Sequence, residues 1–140
     1  MKRHSVLRVV VKLLLPFILL FAFYVQFHGD YGPGGGFQAG VIFGAGIILY
    51  SLVFGLEAAR KVAPPTLVEI LAALGLLIYL GVGVATLLMG GNFLGYDVLE
   101  HDPEHGQHLG ILLVELGVGI TVAAVMVTIF FSFAARRIRR

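Results

Sequence analysis

The chain has 140 residues, the length of one domain, and 59% of them are hydrophobic against 13% charged. A water-soluble domain carries roughly 25% charged residues, so this surface is built to face something other than water. Cysteine is absent, which excludes disulfides, thiolate metal sites and a cysteine nucleophile.

Four apolar runs follow in chain order, at 10–27, 37–56, 67–88 and 109–133. Each approaches the ~20 residues a helix needs to cross ~30 Å of hydrocarbon. Lipid offers the backbone no hydrogen-bond partner, so runs of this length are expected as helices, and no alternating pattern suggests a membrane barrel. The expected fold is all-α, a single membrane domain over 1–140 with four transmembrane helices. The first run has Lys12 at its edge and Pro16 early within it, where a missing N–H matters least or the helix kinks. Lys2 and Arg3 before an apolar stretch also fit a signal peptide. No small-x-small cleavage site follows Phe27, so the run is read as a retained span.

Charge orients the spans. Lys2, Arg3 and Arg8 precede the first run and Lys12 lies at its leading edge, Arg60 and Lys61 lie between the second and third, and Arg136, Arg137, Arg139 and Arg140 follow the fourth. The other two connections, 28–36 and 89–108, hold no Lys or Arg but hold Asp30, Asp97, Glu100, Asp102 and Glu104. The positive-inside rule then places both termini and the Arg60 connection in the cytoplasm. The basic ends serve as topology signals and lipid-headgroup contacts, and a nucleic-acid partner is not expected.

Within 28–36, Gly32-Pro33-Gly34 reads as a turn and Gly35 and Gly36 extend its conformational freedom. The segment serves equally as a plain external hairpin or as exposed backbone N–H groups, at the start of the second helix, that attract charge or line a pathway. Gly34-x-Gly36-x-x-Ala39 resembles a relaxed dinucleotide fingerprint, but its flanks are membrane spans and no strand precedes it. Gly36, Gly40 and Gly44 fall on one helix face, with Gly119 and Ala123 as a shorter stripe on the fourth helix. Such stripes let helices approach closely in lipid.

Glu115 is the one acid well inside a span, about 9 Å from an outer helix start placed at Leu109. A carboxyl there is either hydrogen-bonded to a neighbouring helix or part of an ion or proton route. His101-Asp102-Pro103-Glu104-His105 spells H-x-x-E-H, yet Pro103 is expected in a short external connection rather than on a helix. A solvated acidic loop is the expectation there, with a peripheral metal site at His101, His105 and His108 as the alternative. No catalytic residue, cofactor or resident metal is expected.

Two segments carry a family resemblance: HGDYGPGGGFQAGVIFGAGIILYSLVFG over 28–55 and HGQHLGILLVELGVGITVAAVMVTIFFSF over 105–133. They resemble the B subunit of the multi-subunit Mrp-type Na+/H+ antiporter, with relatives in complex I-like membrane hydrogenases. The P-G-G-G-F-x-x-G core, Pro33 to Gly40, is its most specific part; the family pattern often carries His where this chain has Asp30, with His28 nearby. The resemblance implies a multi-pass subunit of a prokaryotic cell-membrane antiporter, bound to the other subunits, with Na+ and H+ as the transported ions. It carries over Pro33 and Phe37 first, then Gly34, Gly35, Gly36 and Gly40 as backbone and packing positions. Glu115, Asp30 and His28 are the expected charge contacts of the cation or proton route. A hydrogenase or respiratory-complex subunit and a self-sufficient homodimeric exporter are the alternatives.

Overall fold

The computed structural model describes residues 4–29, 34–99 and 101–138. Among these residues five helices follow in order: α1 (Ser5–His28), α2 (Gly36–Phe54), the short α3 (Leu56–Val62), α4 (Pro65–Leu88) and α5 (Pro103–Ile138), with a 3-10 turn at Tyr96–Val98. Four of them, α1, α2, α4 and α5, are long and apolar enough to cross a membrane.

Local chemistry sets the helix ends. Gly55 takes φ +99°, a conformation that costs glycine little, and it separates α2 from α3. α2 therefore stops at Phe54, short of the run expected to reach residue 56. Pro65 opens α4, where its missing N–H has no helical partner to lose. The largest departure is at α5, expected from Leu109 and found from Pro103. Asp102 accounts for it: its Oδ1 accepts the Glu104 N–H at 3.1 Å, and its Oδ2 lies 3.0 Å from His105 Nδ1. A carboxylate capping the first turn suits the positive helix end. His105 and His108 thus lie on a helix, not in the solvated loop expected for them.

The long helices pack in a row, α1 on α2, α2 on α5 and α5 on α4. α2 and α5 run parallel, because Gly36 faces Glu115, Gly40 faces Gly119 and Gly44 faces Ala123. α4 lies antiparallel to α5, with Gly75 and Tyr79 against Gly117. At the end carrying both termini, Ala59, Val68, Ala124, Val127 and Phe131 form a buried cluster. Arg8 and Lys12 sit 5.1 and 5.5 Å from the Phe54 ring centre, and Arg60 lies 6.0 Å from that of Phe131. Cations from α1 and α3 are thereby gathered at one end of the bundle.

At the far end the connection between α4 and α5 folds back over both helices. The Phe93 ring fills the space over Gly83, and the Tyr96 ring covers Gly110. Burial pushes the Tyr96 phenol above its ordinary pKa, and Tyr79 adds to the effect. Thr86, wholly buried, anchors the turn: its hydroxyl donates to the Gly83 carbonyl at 2.8 Å and accepts the Leu94 N–H at 3.0 Å. Thr86→Val keeps the shape but leaves that N–H without its acceptor. It is expected to lower stability by about 1–3 kcal/mol, seen as a lower unfolding midpoint in detergent.

The two far ends are offset. Glu115 stands two residues beyond Gly117, which packs at the level of Gly75 to Tyr79, whereas α4 continues to Leu88. The end of α4 therefore rises on the order of 10 Å above Glu115. Gly29, at the end of α1, and Gly35, before α2, lie at the level of Glu115 itself.

Candidate functional site

The site is built where α1 ends, α2 begins and α5 passes both. Gly35 takes φ +122°, a conformation side-chain-bearing residues rarely adopt, and its N–H returns to the Val25 carbonyl at 3.2 Å. That bond ties the start of α2 to the last turn of α1. Its carbonyl in turn accepts the Ala39 N–H at 3.0 Å, closing the first turn of α2.

Glu115 enters this joint from α5. A Cβ placed on Gly29 would stand 3.0 Å from Glu115 Oε2, and one placed on Gly35 would stand 3.1 Å from Oε1. The carboxyl group therefore lies against two bare backbone positions, one at each side of the hairpin. A side chain at either position would crowd it. The start of α2 also presents N–H groups with no partner within the helix, and this positive end favours a carboxylate beside it. Glu115 itself is half-buried. Measured from Pro103 it stands about 18 Å along α5, twice the depth below the helix start that Leu109 would imply.

The backbones beneath are equally close. A Cβ on Gly36 would run into the Glu115 carbonyl oxygen, and one on Gly40 would stand 2.6 Å from the Gly119 carbonyl. On Gly44 the nearest atom would be Met126 Cβ at 3.3 Å, with the Ala123 backbone just beyond. Gly34 lies against the Val25 carbonyl and Gly29, on the α1 side of the joint. Phe37 points outward and is 65% exposed. The His28 ring stacks on Tyr24 with centroids 5.1 Å apart. Asp30 and Pro33 lie outside the described residues.

Residues beyond the expected set complete the joint. Gly29 makes room for the Glu115 carboxyl, and Gln26 is buried beside Gly119. A glutamine inside the first apolar run was a legible signal, since polar side chains are rare at that depth. Gly75 and Gly117, which bring α4 onto α5, were legible only as isolated glycines in two spans. Among the described residues no group of three or more His, Asp or Glu side chains converges to hold a metal ion.

A family model described as "Domain related to MnhB subunit of Na+/H+ antiporter" matches residues 6–128. The chain belongs to this family of antiporter subunits. Its relatives include the proteins named "Putative antiporter subunit mnhB2" of Staphylococcus aureus strains Newman, JH1 and Mu3. Each is 37% identical over 141 residues, covering 98% of this chain and 99% of the relative. With its four apolar helices, this family member is a multi-pass membrane protein and a transporter subunit, not an enzyme.

Proposed function

We propose that this MnhB-family subunit assembles laterally with the other subunits of a Na+/H+ antiporter and that Glu115, with the hairpin joining α1 and α2, lines the outer mouth of its cation route. The observation that carries the reading is the Glu115 carboxyl set against Gly29 and Gly35. An acid at membrane depth is costly unless it serves a partner or a passing ion. Here it stands beside Gly29 and Gly35, well below the far end of α4, where a route from water meets helix backbone. The glycine seam below holds α2 on α5 and so keeps the start of α2 at the height of the carboxyl. The row of helices also leaves broad apolar faces uncovered, among them Leu13, Phe17 and Leu20 on α1 and Leu77, Leu80 and Val84 on α4. Partner subunits and lipid cover them.

Orientation is part of the proposal: both termini are cytoplasmic, and the α1–α2 and α4–α5 connections are external. The gathering of Arg8, Lys12 and Arg60 at the end with the termini supports it, because cations concentrate on the cytoplasmic side. With no native cysteine, single cysteines report topology directly. A membrane-impermeant maleimide is expected to label Asn92→Cys in intact cells and Arg137→Cys only after permeabilisation. The reverse pattern would invert the assignment. The role of the carboxyl is tested by Glu115→Gln, which is expected to lower sodium-dependent proton exchange in a complex that still assembles.

A further inference from the structure

The end of the bundle that carries both termini holds a cavity of about 250 Å³ between α3, α4 and α5. One wall is the Arg60 guanidinium, 6.0 Å from the Phe131 ring centre, an arrangement in which an aromatic face steadies a cation. Glu69, Thr128 and Ser132 line the same cavity. Among the described residues Arg60 and Glu69 form no ion pair with each other, so both charges are open to a ligand. The Thr128 hydroxyl donates to the Ala124 carbonyl at 2.8 Å, and that of Ser132 donates to the Thr128 carbonyl at 2.9 Å. With their hydrogens engaged by the helix, the two oxygens are left as acceptors.

The cavity thus sets one cationic donor group against a carboxylate and two hydroxyl acceptors. A purely anionic ligand would meet the Glu69 carboxylate, and a purely cationic one would meet Arg60. A zwitterion with a phosphodiester and a primary ammonium suits both. A guanidinium fork matches phosphate oxygens, and an ammonium carries three N–H donors for the carboxylate and the hydroxyl oxygens. Position in the bundle points to a lipid, because pockets between spans at the membrane surface receive headgroups. Leu76 follows Glu69 by seven residues on α4, and Val125 precedes Ser132 by seven on α5. Seven residues return a side chain to nearly the same helix face, about 10 Å further along. Because α4 and α5 are antiparallel, both residues lie on the way from the cavity toward the middle of the bundle. They are 53% and 41% exposed and offer an acyl chain an apolar track.

We propose that this cavity seats the headgroup of an ethanolamine phospholipid, with the phosphodiester at Arg60 and the ammonium at Glu69, Thr128 and Ser132. One acyl chain then runs along Leu76 and Val125. The inference is independent of the role of Glu115 and of which side of the membrane the termini occupy. It requires only that this end of the spans meets a membrane surface.

The test uses the whole antiporter complex in liposomes doped with phospholipid probes that carry one photoreactive acyl chain. The probes share that chain and differ only in an ethanolamine, choline or glycerol headgroup. After illumination, adducts on this chain are mapped by mass spectrometry. The ethanolamine probe is expected to label the segments around Leu76 and Val125 about fivefold more than the choline probe, whose methylated ammonium has no N–H to donate. Glu69→Gln is expected to erase that preference, and Arg60→Met to lower labelling by all three probes, with labelling elsewhere on the chain unchanged. The comparison of probes on the wild-type complex needs no variant to assemble. Equal labelling by the ethanolamine and choline probes, or none at these segments, would overturn the proposal. Stronger labelling by the glycerol probe would overturn it in favour of a site for anionic lipid, and a preference that survives Glu69→Gln would remove the carboxylate from it.

Discussion

Gly36→Ala is expected to abolish recovery of this chain as a folded, assembled subunit. The added methyl would meet the Glu115 carbonyl oxygen, and would stand 2.8 Å from its carbonyl carbon and 3.0 Å from its Cα. All three atoms are backbone, and none can rotate aside. Either α2 and α5 separate along their length or one helix end distorts, at a cost of about 3 kcal/mol or more. In lipid that loss weighs heavily, because close backbone packing supplies much of the association energy. The effect is expected to decline down the seam. A Cβ on Gly40 would meet Val122 Cβ at 2.9 Å as well as the Gly119 carbonyl, whereas on Gly44 the closest approach would be 3.3 Å. Gly81→Ala is the control, since nothing lies within 4 Å of its would-be Cβ, and alanine there is expected to be neutral or slightly stabilising. The four variants are compared by the yield of monodisperse complex in mild detergent. Equal yields from Gly36→Ala and Gly81→Ala would show that the seam is not under this constraint.

The fold class was legible because lipid leaves an apolar run of some twenty residues few alternatives to a helix. Helix ends were less legible, because hydropathy marks where hydrocarbon begins and not where hydrogen bonding stops. α5 shows the difference. Asp102 caps a turn that is polar and sits ahead of the apolar run, so the helix starts six residues before Leu109. Gly55 shows the converse, cutting α2 short inside apolar sequence by its backbone angle.

The site divides in the same way. The four-residue spacing of Gly36, Gly40 and Gly44 put them on one face from sequence alone, and the lone acid in a span singled out Glu115. Which helix that face meets was not legible, because it depends on the lateral order of the row. Nothing local to α2 says that α5 rather than α4 lies beside it. The meeting of Gly29, Gly35 and Glu115 joins residues some eighty positions apart in the chain, and only tertiary packing creates it. Gln26 stood out as a polar side chain in an apolar run, but only its surroundings show it buried with Nε2 unpaired among the described residues.

Glu115→Gln carries the largest functional effect expected of this account. Glutamine keeps the size and shape of the side chain and can still hydrogen-bond beside Gly29 and Gly35, so the joint and the complex are expected to form. What it removes is the charge. If the carboxyl meets the passing cation, losing the charge costs a contact of the charge-assisted kind, worth about 1.5–3 kcal/mol and hence at least tenfold in exchange. The decisive measurement is sodium-dependent proton exchange by the purified, fully assembled complex in liposomes, with wild type and Glu115→Gln side by side. The account predicts a loss of about tenfold or more at equal subunit content, and wild-type exchange from the assembled variant would contradict it.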